Sequence, residues 1–239
     1  DASPLRPERV RGVDLLVVRE LTGGIYFGEP KFVEQTGGGR WRGVDTLEYS
    51  DGEVRRIVRL ACELAAERRG RVTSVDKANV LASSQLWRRV AADEGAKHPG
   101  VALEHRLVDS AAMRLVTHAS DFDVIVTGNM FGDILTDEAA VLVGSLGVLP
   151  SASLGDAGPG LFEPIHGSAP DIAGEGVANP IGAILSVAML LRHSLKSDRG
   201  ARLIEGAVER VLAAGGRTAD LGGDLGTEAM TERVLEALG

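Results

Sequence analysis

The sequence predicts an α/β fold. Two observations carry that prediction. Strand-like runs occur at residues 13–18, 71–75, 101–108 and 122–127. Helix-like stretches at 51–69, 83–94, 111–119 and 129–143 separate or follow them, and strand–helix alternation of this kind builds a parallel sheet with helices on its faces. The hydrophobic fraction of 44% over 239 residues is enough to fill the core such a sheet needs.

Taken in order, the run Val13-Asp14-Leu15-Leu16-Val17-Val18 opens the sheet. Gly37-Gly38-Gly39-Arg40-Trp41-Arg42-Gly43 is glycine-rich and basic, which reads as an exposed hairpin or loop. Trp41 there is either an anchor for a second subunit or part of a partly ordered loop tip. The first long helix has Ser50 or Asp51 as N-cap and Glu53 in its first turn, and it is closed by Arg68-Arg69-Gly70. Residues 145–179 are dominated by glycine and proline and read as a long loop, which is uncommon in a compact domain unless it is functional. Three helices, at 180–194, 201–214 and 228–238, close the chain.

The net charge of −8 and a pI near 5.2 argue against nucleic acid or an anionic membrane as partner. An anionic substrate must then be met by local positive charge. Cys62 is the only cysteine and lies in an apolar stretch, so it reads as a core residue in a reducing compartment. The longest apolar stretch, 181–191, is interrupted by Gly182 and Ser186 and is too short to span a bilayer.

Chemistry concentrates at a few points. Asp133 and Asp137 follow a strand and are four apart on a helical pattern, so they share one face. Two like charges there repel, and a hard cation with oxygen ligands removes the repulsion. Asp109 also follows a strand, in Arg106-Leu107-Val108-Asp109, and in open α/β sheets ligands collect at the carboxyl ends of strands. Three such carboxylates suit Mg²⁺ or Mn²⁺. The alternative is that Asp109 caps a helix and the others are solvated. Lys77, at another strand end, is a base if its pKa is lowered, or a surface lysine paired with Asp76. Arg19 can grip a carboxylate through two parallel hydrogen bonds. Tyr26, in a glycine-flanked turn, can donate a proton or can be a hairpin aromatic. His166, with Gly167, Ser168 and Asp171, forms a loop of small residues that a ligand can approach closely, with a carboxylate suited to ribose hydroxyls. No G-x-G-x-x-G follows a strand, so an ordinary Rossmann cofactor site is not indicated.

Four segments occur in one order: residues 18–28 (VRELTGGIYFG), 75–80 (VDKANV), 127–137 (TGNMFGDILTD) and 162–174 (FEPIHGSAPDIAG). Together they resemble the β-decarboxylating dehydrogenases, the isocitrate/isopropylmalate family, and most of all its leucine-biosynthetic branch. The resemblance runs from about Pro4 to the end and includes Asp220-Leu221-Gly222-Gly223.

It implies the two-domain isopropylmalate/isocitrate dehydrogenase-like fold. Residues 1–143 would be the central substrate, metal and dimerisation domain, with an arm at about 27–50. Residues 144–239 would be the C-terminal part of the cofactor domain. The family begins with roughly a hundred further residues, within the usual size of such a unit. Their absence here is expected to leave the cofactor domain without its first strands, and a chain of only these residues without activity.

The resemblance further implies NAD-dependent oxidative decarboxylation of a 2-hydroxy dicarboxylic acid, 3-isopropylmalate giving 4-methyl-2-oxopentanoate. Isocitrate, homoisocitrate, tartrate or a non-catalytic subunit are the alternatives. Tyr26 and Lys77 would be catalytic. Arg19, Asn79, Val80 and Asp109 would bind substrate. Asp109, Asp133 and Asp137 would hold Mg²⁺ or Mn²⁺. Glu163, His166, Gly167, Ser168, Ala169, Asp171, Ile172 and Asn179 would line the NAD site. A cytoplasmic homodimer is implied, with Lys77 and Asp109 serving the neighbouring subunit's site.

Overall fold

The computed structural model describes residue 3 and residues 5–239; Pro4, where the resemblance begins, lies outside them. The chain divides into two compact units, Glu8–Ala139 and Ala140–Gly239, the latter joined by the described residues before Glu8.

A single turn, α1 (Pro7–Val10), runs into the first unit at Glu8, and that unit is built on a four-stranded sheet. Its strands are β1 (Leu16–Arg19), β4 (Arg71–Asp76), β5 (Ala102–Leu107) and β6 (Val124–Thr127), in the order β1-β6-β4-β5 and all parallel. Side chains alternate between the faces of a strand, so a sheet covered on both sides needs apolar residues at consecutive positions. On β6 this is what the sequence supplies. Val124 and Val126 pack with α2 (Asp51–Ala66) and α3 (Ala82–Gly95), while Ile125 packs with α4 (Val108–His118) and α5 (Asn129–Ala140). Cys62 is fully buried in the α2 layer, and burial pushes its thiol up to about 11.

The α2 start is a capping box, Ser50 and Glu53 each bonding the other's backbone. The helix ends at Ala66, before the expected Arg69. Gly70, at φ 71°, donates its N–H back to the Ala65 carbonyl, and the Arg68 side chain leaves the helix to reach the buried Asp123 carboxylate at 2.9 Å. Conversely α4 begins at Val108, three residues earlier than expected, so Asp109 sits in its first turn. An acidic residue there is favoured by the helix dipole. Residues 37–46 fall in an exposed antiparallel hairpin, β2 (Phe32–Thr36) and β3 (Arg40–Val44), with Trp41 69% exposed.

The second unit holds α6 (Ile181–His193), α7 (Asp198–Ala213) and α8 (Thr227–Leu238), close to the three expected helices. Ile181, Val208, Met230 and Val234 form their shared core. The region expected to be loop contains an antiparallel pair, β7 (Pro150–Ser153) and β8 (Leu161–Pro164). Among the described residues no helix is long and apolar enough to cross a membrane.

Candidate active site

The carboxyl ends of β1 and β6 bring the first group together. β1 ends at Arg19 and β6 at Thr127; the chain then turns at Gly128 into α5, whose second turn carries Asp133. Arg19 Nη1 donates to Asp133 Oδ1 at 2.6 Å, and Tyr26 Oη donates to Asp133 Oδ2 at 3.0 Å. The Arg19 guanidinium carbon lies 5.9 Å from the centre of the Tyr26 ring. Tyr26 is 44% exposed, so it is not a core aromatic. Its phenol is raised above 10.0, first because it donates to the Asp133 carboxylate, which its own ionised form would repel.

Close packing fixes this arrangement. A Cβ on Gly132 would stand 2.6 Å from Arg19 Cγ, so only glycine leaves the arginine its path. A Cβ on Gly128 would stand 2.8 Å from the Tyr49 hydroxyl, which accepts the backbone N–H of Asn129 at 2.7 Å. Neither Tyr49 nor Asn129 emerged from the sequence. Asn129 is buried and accepts from Arg19 Nε at 3.0 Å and Nη2 at 2.8 Å. An asparagine at a helix start reads as a cap, and nothing local announces a partner 110 positions away.

The second group lies at the ends of β4 and β5. Lys77 Nζ donates to Asp109 Oδ1 at 2.5 Å. The expected alternative, Lys77 on Asp76, does not occur: Asp76 is buried and takes both Nε and Nη2 of Arg88 at 2.8 Å. The Lys77 hydrogen bond, foremost, holds the Asp109 carboxyl below its ordinary value. Asn79 and Val80 are exposed on the turn that follows, where the Val80 N–H returns to the Lys77 carbonyl.

The three expected metal ligands therefore fall into two sets within one chain. Asp133 and the exposed Asp137 share a face of α5, while Asp109 stands with Lys77. Among the described residues no group of three or more His, Cys, Asp or Glu is placed to hold a metal ion. The α5 pair fits a hard cation as a two-carboxylate oxygen donor set, and each Asp133 oxygen keeps acceptor capacity beyond its one present bond.

In the second unit, Glu163, His166, Gly167, Ser168, Ala169, Asp171 and Ile172 are exposed on β8 and the loop after it. Ala169 is left-handed at φ 43°, an uncommon state for a residue with a Cβ, and it opens the short 3-10 turn Pro170–Ile172. A Cβ on Gly167 would meet nothing within 4 Å, so a ligand can come close to that backbone. The strip offers small side chains, open backbone and a free-standing acid, which suits a dinucleotide's sugar and phosphates. Asn179 differs in being buried: it donates to Asp220 at 3.1 Å and accepts from the Ile181 N–H at 3.0 Å, fixing the start of α6.

Comparison with known proteins agrees with this architecture. The family model described as isocitrate/isopropylmalate dehydrogenase matches residues 1–237. The chain is 62% identical over 238 residues to the 3-isopropylmalate dehydrogenase of Anaeromyxobacter dehalogenans and 59% identical over 241 residues to that of Priestia megaterium. These alignments cover 100% of this chain but only 67% and 65% of those proteins, so it spans about two thirds of their length. The crystal structure of isocitrate dehydrogenase from Methylococcus capsulatus superposes with a TM-score of 0.88 at 38% identity, covering 95% of this chain and 67% of that one. A β-decarboxylating dehydrogenase from Thermococcus kodakarensis gives 0.76 at 41% identity, covering 87% and 60%. Its two-sided parallel sheet, its strand-end residues and this match over nearly its whole length make the chain a member of the isocitrate/isopropylmalate dehydrogenase family.

Proposed function

We propose that the protein oxidises and decarboxylates 3-isopropylmalate to 4-methyl-2-oxopentanoate with NAD, in leucine biosynthesis and in the cytoplasm. The observation that carries this reading is the 56–62% identity, along all or nearly all of the chain, to relatives named for that substrate. The arginine, tyrosine and carboxylate gathered at the ends of β1 and β6 support it chemically.

Arg19 would bind a substrate carboxylate through N–H groups not engaged by Asn129 and Asp133. Lys77, from a second copy, would take the proton of the 2-hydroxyl directly or through water. Asp133 and Asp137, with Asp109 of a second copy, would hold Mg²⁺ or Mn²⁺. When bound, the cation would supply Lewis acidity and NAD a hydride acceptor. After carbon dioxide leaves, Tyr26 would protonate the carbon that held it; a phenol, with an ordinary pKa of about 10, holds that proton at neutral pH. Asn79 and Val80 would face substrate and nicotinamide. Glu163, His166, Gly167, Ser168, Ala169, Asp171, Ile172 and Asn179 would line the NAD site, where the acid at Asp171 disfavours a 2′-phosphate. The active species would be a homodimer, with residues 1–143 as the substrate, metal and dimerisation part and 144–239 as the cofactor part.

Turnover of 3-isopropylmalate, isocitrate, homoisocitrate and tartrate by the intact protein, with NAD or NADP and Mn²⁺, tests the reading. The expected outcome is the highest kcat/KM for 3-isopropylmalate with NAD. A higher value for any other acid assigns the protein to that substrate instead.

A further inference from the structure

We infer that Asn129 is the positioning residue for Arg19, and that it selects which edge of the guanidinium meets a substrate carboxylate. The inference deepens the function proposed above and rests on it for the identity of the substrate.

Asn129 is 3% exposed, and all four hydrogen-bonding positions of its side chain are filled. Oδ1 accepts Arg19 Nε at 3.0 Å and Nη2 at 2.8 Å. Nδ2 donates to the Leu21 carbonyl at 3.1 Å and the Gly23 carbonyl at 3.3 Å. An amide has two acceptor sites and two donor hydrogens, so nothing is left over. The opposite amide orientation would aim donors at the guanidinium and an oxygen at two carbonyls, so the network itself fixes the assignment. The Asn129 backbone is anchored as well, through its N–H to the Tyr49 hydroxyl at 2.7 Å.

The consequence lies in the remaining donors of Arg19. A guanidinium has five N–H groups in a fixed fork. Asn129 occupies the edge formed by Nε and Nη2, and Asp133 takes one hydrogen of Nη1. One N–H on Nη1 and one on Nη2 are left. The hydrogen left on Nη2 faces the end of the guanidinium, so a carboxylate that uses it meets the end rather than the side held by Asn129, in a plane that a neutral, buried amide has already set. Because the amide carries no charge, it orients the arginine without adding a second negative charge to the one Asp133 already brings. A carboxylate in its place would orient it but add that charge.

The test pairs a structural readout with a kinetic one, in the intact protein. In wild type the Arg19 Nε–H gives a slowly exchanging ¹⁵N-coupled NMR signal, and in Asn129→Ala that protection is lost while the protein remains folded by circular dichroism. Asn129→Ala raises the KM for 3-isopropylmalate about tenfold, the effect of roughly 1.4 kcal/mol, with the KM for NAD unchanged. In an Arg19→Lys background the same change adds less than twofold, because the group it positions is gone. Equal factors in both backgrounds, or a matching rise in the KM for NAD, overturn the inference. If Asn129→Ala does not fold, Asn129→Asp, which keeps an acceptor toward Nε and Nη2, decides: retained Nε–H protection supports the inference and its loss overturns it. A wild-type protein inactive on 3-isopropylmalate removes the proposed substrate, while the exchange of Nε–H still decides whether Asn129 holds Arg19.

Discussion

Arg19, Tyr26 and Asp133 form a small machine whose parts hold one another. Asp133 accepts from both the arginine and the phenol, so the proposed anchor and the proposed acid share one carboxylate. Gly132→Ala puts a Cβ within 2.6 Å of Arg19 Cγ, near the root of the side chain where it cannot simply swing aside. The KM for the dicarboxylate should rise several-fold with little change in that for NAD; an unchanged substrate KM means that the arginine can relocate at no cost. Tyr26→Phe removes only a hydroxyl on an exposed ring. Its kcat should fall by about 10² to 10⁴, the range for a lost general acid, with the melting temperature held. A rate within twofold of wild type would take Tyr26 out of the chemistry.

At the scale of elements, the packing of α2 on α3 turns on Glu94. Its side chain is 5% exposed and meets Arg55 at 3.2 Å and Lys97 at 2.6 Å. Burial alone would raise its pKa, but the hydrogen bonds from Lys97 and Arg55 outweigh burial and hold it below 4.5. A carboxylate depressed on folding stabilises the fold above its unfolded pKa, and that stabilisation is lost as pH falls through the lower folded value. Glu94→Gln should therefore cost about 2 kcal/mol at pH 7, as expected for hydrogen bonds to charged groups, in urea unfolding with unchanged slope. The gap to wild type should close as the pH drops below 4.5. A gap that is constant with pH would assign the cost to shape rather than charge.

Legibility in the sequence also divides by element. The parallel strands were readable because a strand covered on both faces must be apolar at successive positions, as Val124, Ile125 and Val126 are. The β7–β8 pair was not, because Pro150, Ser151 and Ser153 carry no strand-like apolar pattern and the pairing depends on partners across a glycine-rich turn. The start of α4 was misplaced because the apolar pair Leu107 and Val108 reads as the end of β5, whereas Val108 already opens the helix. The charged site residues stood out by type. Asn129 and Tyr49 did not, because their role exists only once β1 and β6 lie side by side.

At the scale of the whole molecule, the separation of Asp109 and Lys77 from the Asp133 and Asp137 face is the fact that most needs explaining. The homodimer proposed above would account for it, since an isologous contact lets each chain lend residues to the other's site. Several large apolar side chains of the sheet unit are left in water in the single chain: Val33 and Trp41 on the hairpin, Met113 on α4 and Ile134 on α5. They are apolar surface that the proposed homodimer has available for its contact. The net charge of −8 makes such an assembly dependent on apolar contact rather than on overall electrostatic attraction.

Subunit complementation tests the proposed sharing of sites most directly. Lys77→Met and Tyr26→Phe, each inactive alone, are co-expressed and allowed to pair at random. Sites shared between chains predict that every mixed dimer has one doubly altered site and one intact site, which restores about a quarter of wild-type activity for random isologous pairing. Activity no higher than that of either variant alone would contradict the account, because it would mean that Lys77 and Tyr26 serve the same chain's site.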